Sequence, residues 1–158
     1  MNDKDIFLKL DNFKFNFRVA AIMQYNDKIL IQKSEKDSFY GLIGGKVQQK
    51  ERTIDALKRE IKEEINFNVD EKKCKLSRVC ENFFIYNSTE YHELLFIYFI
   101  ELNEDDNIQK HSDFTCVDKT TTKMCWININ ELENIDLRPK EAKQILDNNS
   151  LKHIIINE

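Results

Sequence analysis

Residues 45–67, GKVQQKERTIDALKREIKEEINF, join a glycine-containing segment to a segment with helical periodicity. The chain contains three glycines, and all of them lie within five residues: Gly41 and Gly44 directly before this stretch and Gly45 at its start. Glycine permits positive φ and lets the backbone approach a ligand closely. The glycines therefore predict either a tight loop without a ligand or a loop that binds one, and alone they do not decide between the two.

A helix is predicted from Thr53 to Ile65, with Thr53 as its N-cap. Its apolar residues recur at the spacing of a single helical face; they are Ile54, Leu57, Ile61 and Ile65. This face is expected to pack against a hydrophobic core.

Three glutamates, Glu60, Glu63 and Glu64, fall on an arc of roughly 100° beside the apolar face, with no cation among them. Glu60 and Glu64 are like charges four residues apart, which weakens a helix by a few tenths of a kcal/mol. Clustered carboxylates that border a core suit a hard divalent cation with oxygen ligands. The alternative is a solvated acidic face, and spacing alone leaves both interpretations open.

The whole segment resembles the Nudix box, Gly-x5-Glu-x7-Arg-Glu-U-x-Glu-Glu-x-Gly-U, in which U is a bulky aliphatic or aromatic residue. The matching residues are Gly45, Glu51, Arg59, Glu60, Ile61, Glu63, Glu64 and Phe67. Asn66 replaces the second glycine, and Asn is the next most tolerant residue at a left-handed helix end. Ile43 and Lys50 stand where family members often have Pro and Gly, so the loop is expected to differ in shape.

The resemblance implies an α/β fold, a Nudix-type α/β/α sandwich with a mixed sheet, formed by residues 1–158 as one domain. It also implies that Glu60, Glu63 and Glu64 coordinate Mg²⁺ or Mn²⁺ with help from the carbonyl of Gly45. Arg59 is implied as a site residue that, with Glu51, holds the loop and helix together through an ion pair.

The activity implied is hydrolysis of the diphosphate linkage of a nucleoside diphosphate joined to another moiety X. The glutamate that activates water is Glu63 if it lies inside the box. Outside the box Glu93 is the first candidate and Glu101 the second, although exposed strand charge is the commoner explanation for both. The alternative function is a Nudix-fold module that senses a nucleotide without cleaving it; the intact glutamate set argues against it.

Recognition of the substrate must come from outside the box. The candidates are Arg18, Phe39, Tyr40 and Phe84, with weaker support for Phe83, Tyr86 and His92. Aromatic side chains could stack on a base, and an arginine could contact a phosphate. Core packing for the aromatic residues and a surface position for Arg18 are the alternatives.

The rest of the chain predicts a mixed sheet and two or three helices. Strands are expected at about 13–23, 28–32, 76–86, 91–102 and 123–127, and a second helix from Pro139 to about Asp147. Residues 1–9 and 148–158 carry no clear pattern.

Charge and composition limit the partners. The chain has 24 Lys and Arg against 28 Asp and Glu, a formal net charge of −4, which disfavours non-specific nucleic-acid binding. The longest apolar run, Leu94 to Ile100, is too short to cross a bilayer. The start is unlike a targeting peptide, and the four cysteines lack metal or disulfide spacing, so reduced thiols in a cytoplasmic protein are expected. The resemblance to the Nudix family also implies a homodimer.

Overall fold

The computed structural model describes residues 4–110, 113–144 and 150–157, which form one α-helix and an 11-stranded mixed sheet. The helix α1 spans Thr53–Ile65. The strands are β1 (Phe7–Leu10), β2 (Phe13–Tyr25), β3 (Lys28–Ser34), β4 (Tyr40–Gly41), β5 (Ile43–Lys46), β6 (Cys74–Tyr86), β7 (Thr89–Glu101), β8 (Phe114–Thr115), β9 (Thr122–Asn128), β10 (Leu137–Arg138) and β11 (Lys152–Asn157). The predicted α/β fold with a mixed sheet is confirmed.

Two long parallel strands, β2 and β7, form the centre of the sheet. Their register runs from Phe13 opposite Glu90 to Gln24 opposite Glu101. On one side β7 pairs antiparallel with β6, to which it is connected by a tight turn at Asn87 and Ser88; both of these residues have positive φ. On the other side β2 pairs with β5, which brings the glycines beside the middle of the sheet.

Each face of the sheet packs on its own hydrophobic cluster. Side chains that alternate along a strand point to opposite faces, so Val19 and Ala21 of β2 pack with Leu57 and Ile61 of α1. The side chain of Ala20, which lies between them, points to the other face. There it belongs to a second cluster, with Leu95 and with residues that follow β9. Helix α1 therefore covers only one face, and part of the opposite face lines a separate cavity.

The ends of α1 agree with the sequence in one respect and differ in another. Asn66 has φ 52 and ψ 35, the left-handed conformation expected of the residue that replaces glycine there. The predicted N-cap is wrong: Arg52 occupies that position and makes no side-chain capping bond. Thr53 lies inside the helix, where its Oγ1 lies 2.7 Å from Oη of Tyr98.

The C-terminal part differs most from the prediction. A 3-10 helix at Lys140–Gln144 stands where the second α-helix was expected to begin, and the remainder of that expected helix lies outside the described residues. The last residues, which showed no pattern, form β11, a strand parallel to β6 from Lys152 opposite Arg78 to Asn157 opposite Phe83. Exposed and buried side chains do not alternate cleanly in β11 because it lies at the edge of the sheet.

The four cysteines are all free thiols, two buried and two partly buried; they are Cys74, Cys80, Cys116 and Cys125. No helix among the described residues has the length and apolar content needed to cross a bilayer.

Candidate active site

The glycine segment contacts two glutamates of α1 directly. The backbone N–H of Gly44 donates to Oε2 of Glu64 at 3.3 Å. The carboxylate of Glu60 lies against Gly45 so closely that a Cβ on residue 45 would overlap it. The close backbone approach that glycine allows is therefore used here, and it brings two carboxylates to β5.

These two carboxylates are buried, whereas the third is exposed. Glu64 is 0% and Glu60 9% exposed, but the side chain of Glu63 is 49% exposed. Burial raises the pKa of Glu64 to about 7, although the ammonium group of Lys119 opposes the shift. Burial also raises the pKa of Glu60, against the opposing effect of Arg59. The charged forms of both groups are thus disfavoured unless a cation is added.

Arg59 connects the loop to the helix. Its guanidinium donates to both carboxylate oxygens of Glu51, at 2.8 and 3.0 Å, and to the carbonyl of Lys46 at 2.9 Å. It also donates to Oε1 of Glu60 at 2.7 Å and to Oε2 of Glu63 at 3.4 Å. The Arg59 hydrogen bonds hold the pKa of Glu51 below its usual value. One side chain therefore positions three glutamates.

A loop that sequence reasoning missed, between β8 and β9, reaches Glu64. Lys119 places its Nζ 3.0 Å from Oε1 of Glu64, and the N–H of Val117 donates to the Glu64 carbonyl at 2.8 Å. Cys116 donates to the carboxylate of Asp118 at 2.9 Å, and ligand atoms of these two residues and Glu64 lie within 4.8 Å of one another. The polar segment around them has no periodicity or motif, so nothing in the sequence marked it.

The donor set fits a hard divalent cation. Glu60, Glu63 and Glu64 offer carboxylate oxygens, the donors that Mg²⁺ and Mn²⁺ prefer. Glu63 raises the pKa of Glu60, and Glu60 raises that of Glu64, so the three negative charges repel one another. A divalent ion would relieve both this repulsion and the cost of burial.

A cavity of about 590 Å³ opens on the sheet face opposite α1. Of the residues proposed to bind substrate, Arg18, Phe39 and Phe84 line it, and Glu93 lies with them. Tyr40 packs instead on the second hydrophobic cluster, with Nζ of Lys33 4.8 Å from its ring centroid.

Glu93 differs from the exposed strand charge that was its commoner explanation, because it is only 3% exposed. Its carboxylate accepts from Arg18 and from Asn82, each at 3.4 Å. Among the contacts of the described residues, none joins Glu93 to a glutamate of α1. The structure thus groups Glu93 with the cavity.

The weaker candidates are divided between the two faces. Tyr86 lines the cavity, and its Oη donates to Asp37 at 2.8 Å. His92 lies on the other face of β7, 4.4 Å from Phe83 between ring centroids, so neither residue lines the cavity. Glu101 is exposed at the far end of β7.

The α/β fold, with its glutamate-bearing helix packed against the glycines of β5, agrees with the family that the sequence motif indicates. The model of the NUDIX domain matches residues 14–148, which is most of the chain. The chain therefore belongs to the Nudix hydrolase family.

Solved structures show the same fold. A MutT protein from Bacillus halodurans is 15% identical with a TM-score of 0.64, over 87% of this chain and 89% of that one. A NUDIX hydrolase from Nitrosomonas europaea is 18% identical with a TM-score of 0.58, over 90% of this chain and 79% of that one. The ORF135 protein of E. coli is 20% identical with a TM-score of 0.54, over 85% and 87% of the two chains. No curated protein matches the chain.

Proposed function

We propose that the chain is a divalent-metal-dependent hydrolase that cleaves the diphosphate linkage of a nucleoside diphosphate joined to another group. The observation that carries the proposal is the burial of Glu60 and Glu64 side by side against Gly44 and Gly45. Burial still raises the pKa of both carboxyl groups although Arg59 and Lys119 are bonded to them, so a divalent cation would offset a cost that these side chains do not remove. The similarity to a MutT protein and a NUDIX hydrolase supports the same activity.

Glu60, Glu63 and Glu64, with the carbonyl of Gly45, are the residues we propose to hold Mg²⁺ or Mn²⁺. When bound, such an ion neutralises phosphate oxygens and lowers the pKa of coordinated water. Arg59 holds Glu60 and Glu63 in place and itself stays bound to Glu51. Its role is therefore to position ligands.

Glu63 is the general base in this proposal. It is the most exposed of the three glutamates, and its one side-chain hydrogen bond among the described residues is the 3.4 Å bond from Arg59. Because a carboxylate has two oxygens, Glu63 could contribute one to the cation and accept a proton from the attacking water with the other. Glu93, buried on the opposite face of the sheet, is instead proposed to bind substrate.

Lys119 links the two parts of the site. It contacts Glu64, and it also lines the cavity that holds Arg18 and Glu93. A substrate whose nucleoside occupies the cavity and whose phosphates reach the glutamates would pass Lys119, and an ammonium group stabilises phosphate charge. We propose Lys119 as a phosphate contact.

The test is a phosphate-release screen over nucleoside triphosphates, nucleotide sugars, dinucleoside polyphosphates and ADP-ribose, with Mg²⁺ or Mn²⁺. Activity should need the metal and should fall by about 100-fold or more in Glu63→Gln and Glu64→Gln. The matched control is Glu71→Gln, an exposed glutamate that contacts Arg52 and Lys58 at 3.9 and 3.7 Å, outside the proposed site. Its activity should be unchanged.

Turnover that survives in both variants, or that needs no metal, would contradict the proposal. A folded protein that binds nucleotides but cleaves none of them would indicate the sensing module instead. A cytoplasmic location, a homodimer and a single domain over the full chain remain predictions from the sequence.

A further inference from the structure

One end of the sheet carries apolar side chains on the same face that α1 covers further along. Val19 and Ala21 of β2 pack with α1 in the first hydrophobic cluster. Alternate residues of a strand share a face, so Phe13, Phe15 and Phe17 lie on this side as well. Phe17 still packs against that cluster, but Phe13 and Phe15 belong to neither cluster of the described residues. Helix α1 thus stops short of the beginning of β2.

The neighbouring strands continue this face in register. Phe15 is opposite Leu8 of β1 and His92 of β7, and His92 is opposite Phe83 of β6. Asn157 of β11, opposite Phe83, ends the row. The ring centroid of His92 lies 4.4 Å from that of Phe83 and 5.6 Å from that of Phe15. The middle of the row is therefore a continuous ring surface.

The rows on either side are largely apolar as well. Two residues away along each strand, one row contains Leu10, Phe13, Glu90 and Ile85. In the other direction, the row contains Phe17, Leu94, Glu81 and Ile155. The side chains of these three rows are called the apolar patch below.

The large side chains of the apolar patch are unusually open to solvent. Leu8 is 48%, Leu10 55%, Ile85 69% and Ile155 62% exposed. They are four of the six large hydrophobic residues that are exposed in the described part of the chain. Exposed apolar residues scattered singly are normal, whereas a contiguous group marks an interaction surface.

The opposite face of the same strands shows the reverse arrangement. Asn16 is 8%, Asn82 5% and Glu93 3% exposed, so polar side chains are buried there. At this end of the sheet, the polar face is covered and the apolar face is open. Apolar surface in contact with water is unfavourable, and a second surface that covered it would remove that cost.

The apolar patch is large enough for a dimer interface. It spans five neighbouring strands, in the order β1, β2, β7, β6 and β11. With strands about 4.8 Å apart and rows about 6.6 Å apart, it covers roughly 500 Å². Two such patches in contact would remove roughly 1,000 Å² from water, which is the lower limit for a specific interface.

We infer that the apolar patch is the contact surface between two copies of this chain. Two sheets can pack face to face, with their side chains interdigitating about 10 Å apart. A second copy supplies a face of the same dimensions. A two-fold dimer uses the same surface on both subunits, so the row of Phe15, His92 and Phe83 would meet its counterpart near the axis. The cavity lined by Arg18 and Glu93 lies on the other face and stays open.

The charges of the apolar patch favour a protein partner over a lipid surface. Its two ionisable carboxylates are Glu81, which lies 2.8 Å from Nε2 of His153, and the exposed Glu90. None of its positions is a lysine or an arginine, the residues that attract anionic lipids. Glu90 lies in an outermost row, where an interface rim stays hydrated.

Sedimentation velocity of the purified chain, without metal or substrate, tests the inference. The wild type should dimerise with a dissociation constant of about 1–100 µM, as suits an interface of this size. Ile85→Lys and Ile155→Lys each place an ammonium group in a surface that dimerisation dehydrates. Each variant should therefore raise the dissociation constant by about 10-fold or more.

The matched control is Val117→Lys. Val117 is 62% exposed, as Ile155 is, but it lies in the loop between β8 and β9, outside the apolar patch. This variant should dimerise as the wild type does. All three substitutions replace exposed side chains, so the fold should persist, and thermal melts would verify this.

A wild-type chain that is monomeric at about 100 µM would overturn the inference, since an interface of this size should form there. A dimer that persists in both isoleucine variants would overturn it too, because the contact would then lie elsewhere. Wild-type monomers that bind phosphatidylcholine vesicles, and lose this binding in the isoleucine variants, would identify lipid as the occupant instead.

This inference is independent of the proposed function because association is measured without turnover. A dimer that depends on the apolar patch but hydrolyses nothing would support the inference and refute the proposed activity. A monomer with metal-dependent hydrolysis would do the opposite.

Discussion

The carboxylate of Glu60 occupies the space in which a side chain on residue 45 would begin. Gly45 lies in β5 and Glu60 in α1, so their contact fixes the position of the helix on the strand. Gly44, the preceding residue, differs: its φ is +156° and a Cβ there would overlap the backbone of Val19. The two glycines are therefore required for different reasons.

Substituting these glycines should separate metal binding from stability. In Gly45→Ala the new methyl group meets the far end of a glutamate side chain, which can move aside, so the fold should persist. Metal affinity should fall because Glu60 is displaced. In Gly44→Ala the methyl group meets backbone, which cannot move cheaply, so unfolding free energy should fall by about 2 kcal/mol or more.

Urea unfolding and Mn²⁺ titration of both variants would check this. The expectation fails if Gly45→Ala binds Mn²⁺ as tightly as the wild type, or if Gly44→Ala is as stable as Gly45→Ala.

The metal-free protein should lose stability as the pH rises through the titration range of Glu64. Burial raises the pKa of this carboxyl from 4.5 to about 7. Between these values the folded state holds a proton that the unfolded state has released. The stabilisation is therefore complete below about 4.5 and is lost as the pH rises through about 7. Glu64 contributes roughly 3 kcal/mol at most to the change in unfolding free energy over this pH range.

The measurement compares the wild type with Glu64→Gln in EDTA. Glutamine cannot titrate, so groups common to both proteins cancel, and the wild type should become less stable relative to the variant between about pH 5 and pH 8. A difference in unfolding free energy that does not change with pH would show that Glu64 titrates normally.

Replacing Glu51, the partner of Arg59, should destabilise the protein more than replacing Glu71, the partner of Arg52 on the surface. Glu51 accepts two bonds from Arg59 and one from the N–H of Gln48 at 2.9 Å. Glu51→Gln should cost about 1–3 kcal/mol of unfolding free energy, because charge-assisted bonds at a partly buried site are lost. The exposed pair of Arg52 and Glu71 at 3.9 Å supplies the contrast: Glu71→Gln should cost less than Glu51→Gln. Equal losses in the two variants would contradict the structural role of Glu51.

Lys119→Ala should act on substrate binding more than on the chemical step. If Lys119 contacts a phosphate, KM for a substrate identified by the screen should rise by about 10-fold, since a charge-assisted bond is lost. The fall in kcat should be smaller. Lys123→Ala, an exposed lysine on the adjacent β9, is the control. A loss confined to kcat would instead assign Lys119 to the glutamates, through its 3.0 Å contact with Glu64.

The helix could be predicted because local sequence determines it, whereas the loop predicted at the glycines is wrong: Gly41 lies in β4, and Gly44 and Gly45 lie in β5 and pair with β2. The apolar spacing of α1 gave its bounds, and the exchange of glycine for Asn66 was tolerated as expected. The long strands were also recognisable, since β2, β6 and β7 alternate or run apolar for many residues. The N-cap was misassigned because an N-cap side chain competes with tertiary contacts, and Thr53 bonds to Tyr98 instead.

The rest depends on contacts between distant residues. Glu93 is buried because strands from two other parts of the chain, bearing Arg18 and Asn82, flank it. Lys119 reaches Glu64 across 55 positions of sequence, from a loop without a pattern. Strand β11 exists because β6 offers it an unpaired edge. Single-sequence periodicity carries no information on such pairings.

The alternation of side chains along β2 has a consequence for how the protein can diversify. Val19 faces α1 and is paired with Gly45, whereas its neighbour Arg18 lines the cavity. Substitutions at cavity-facing positions could therefore change which molecule is recognised while leaving the glutamates and the glycines of β5 intact. Because alternate side chains of one strand face the cavity and the helix, substrate recognition and catalysis can change independently. Related proteins could therefore catalyse the same reaction on different substrates.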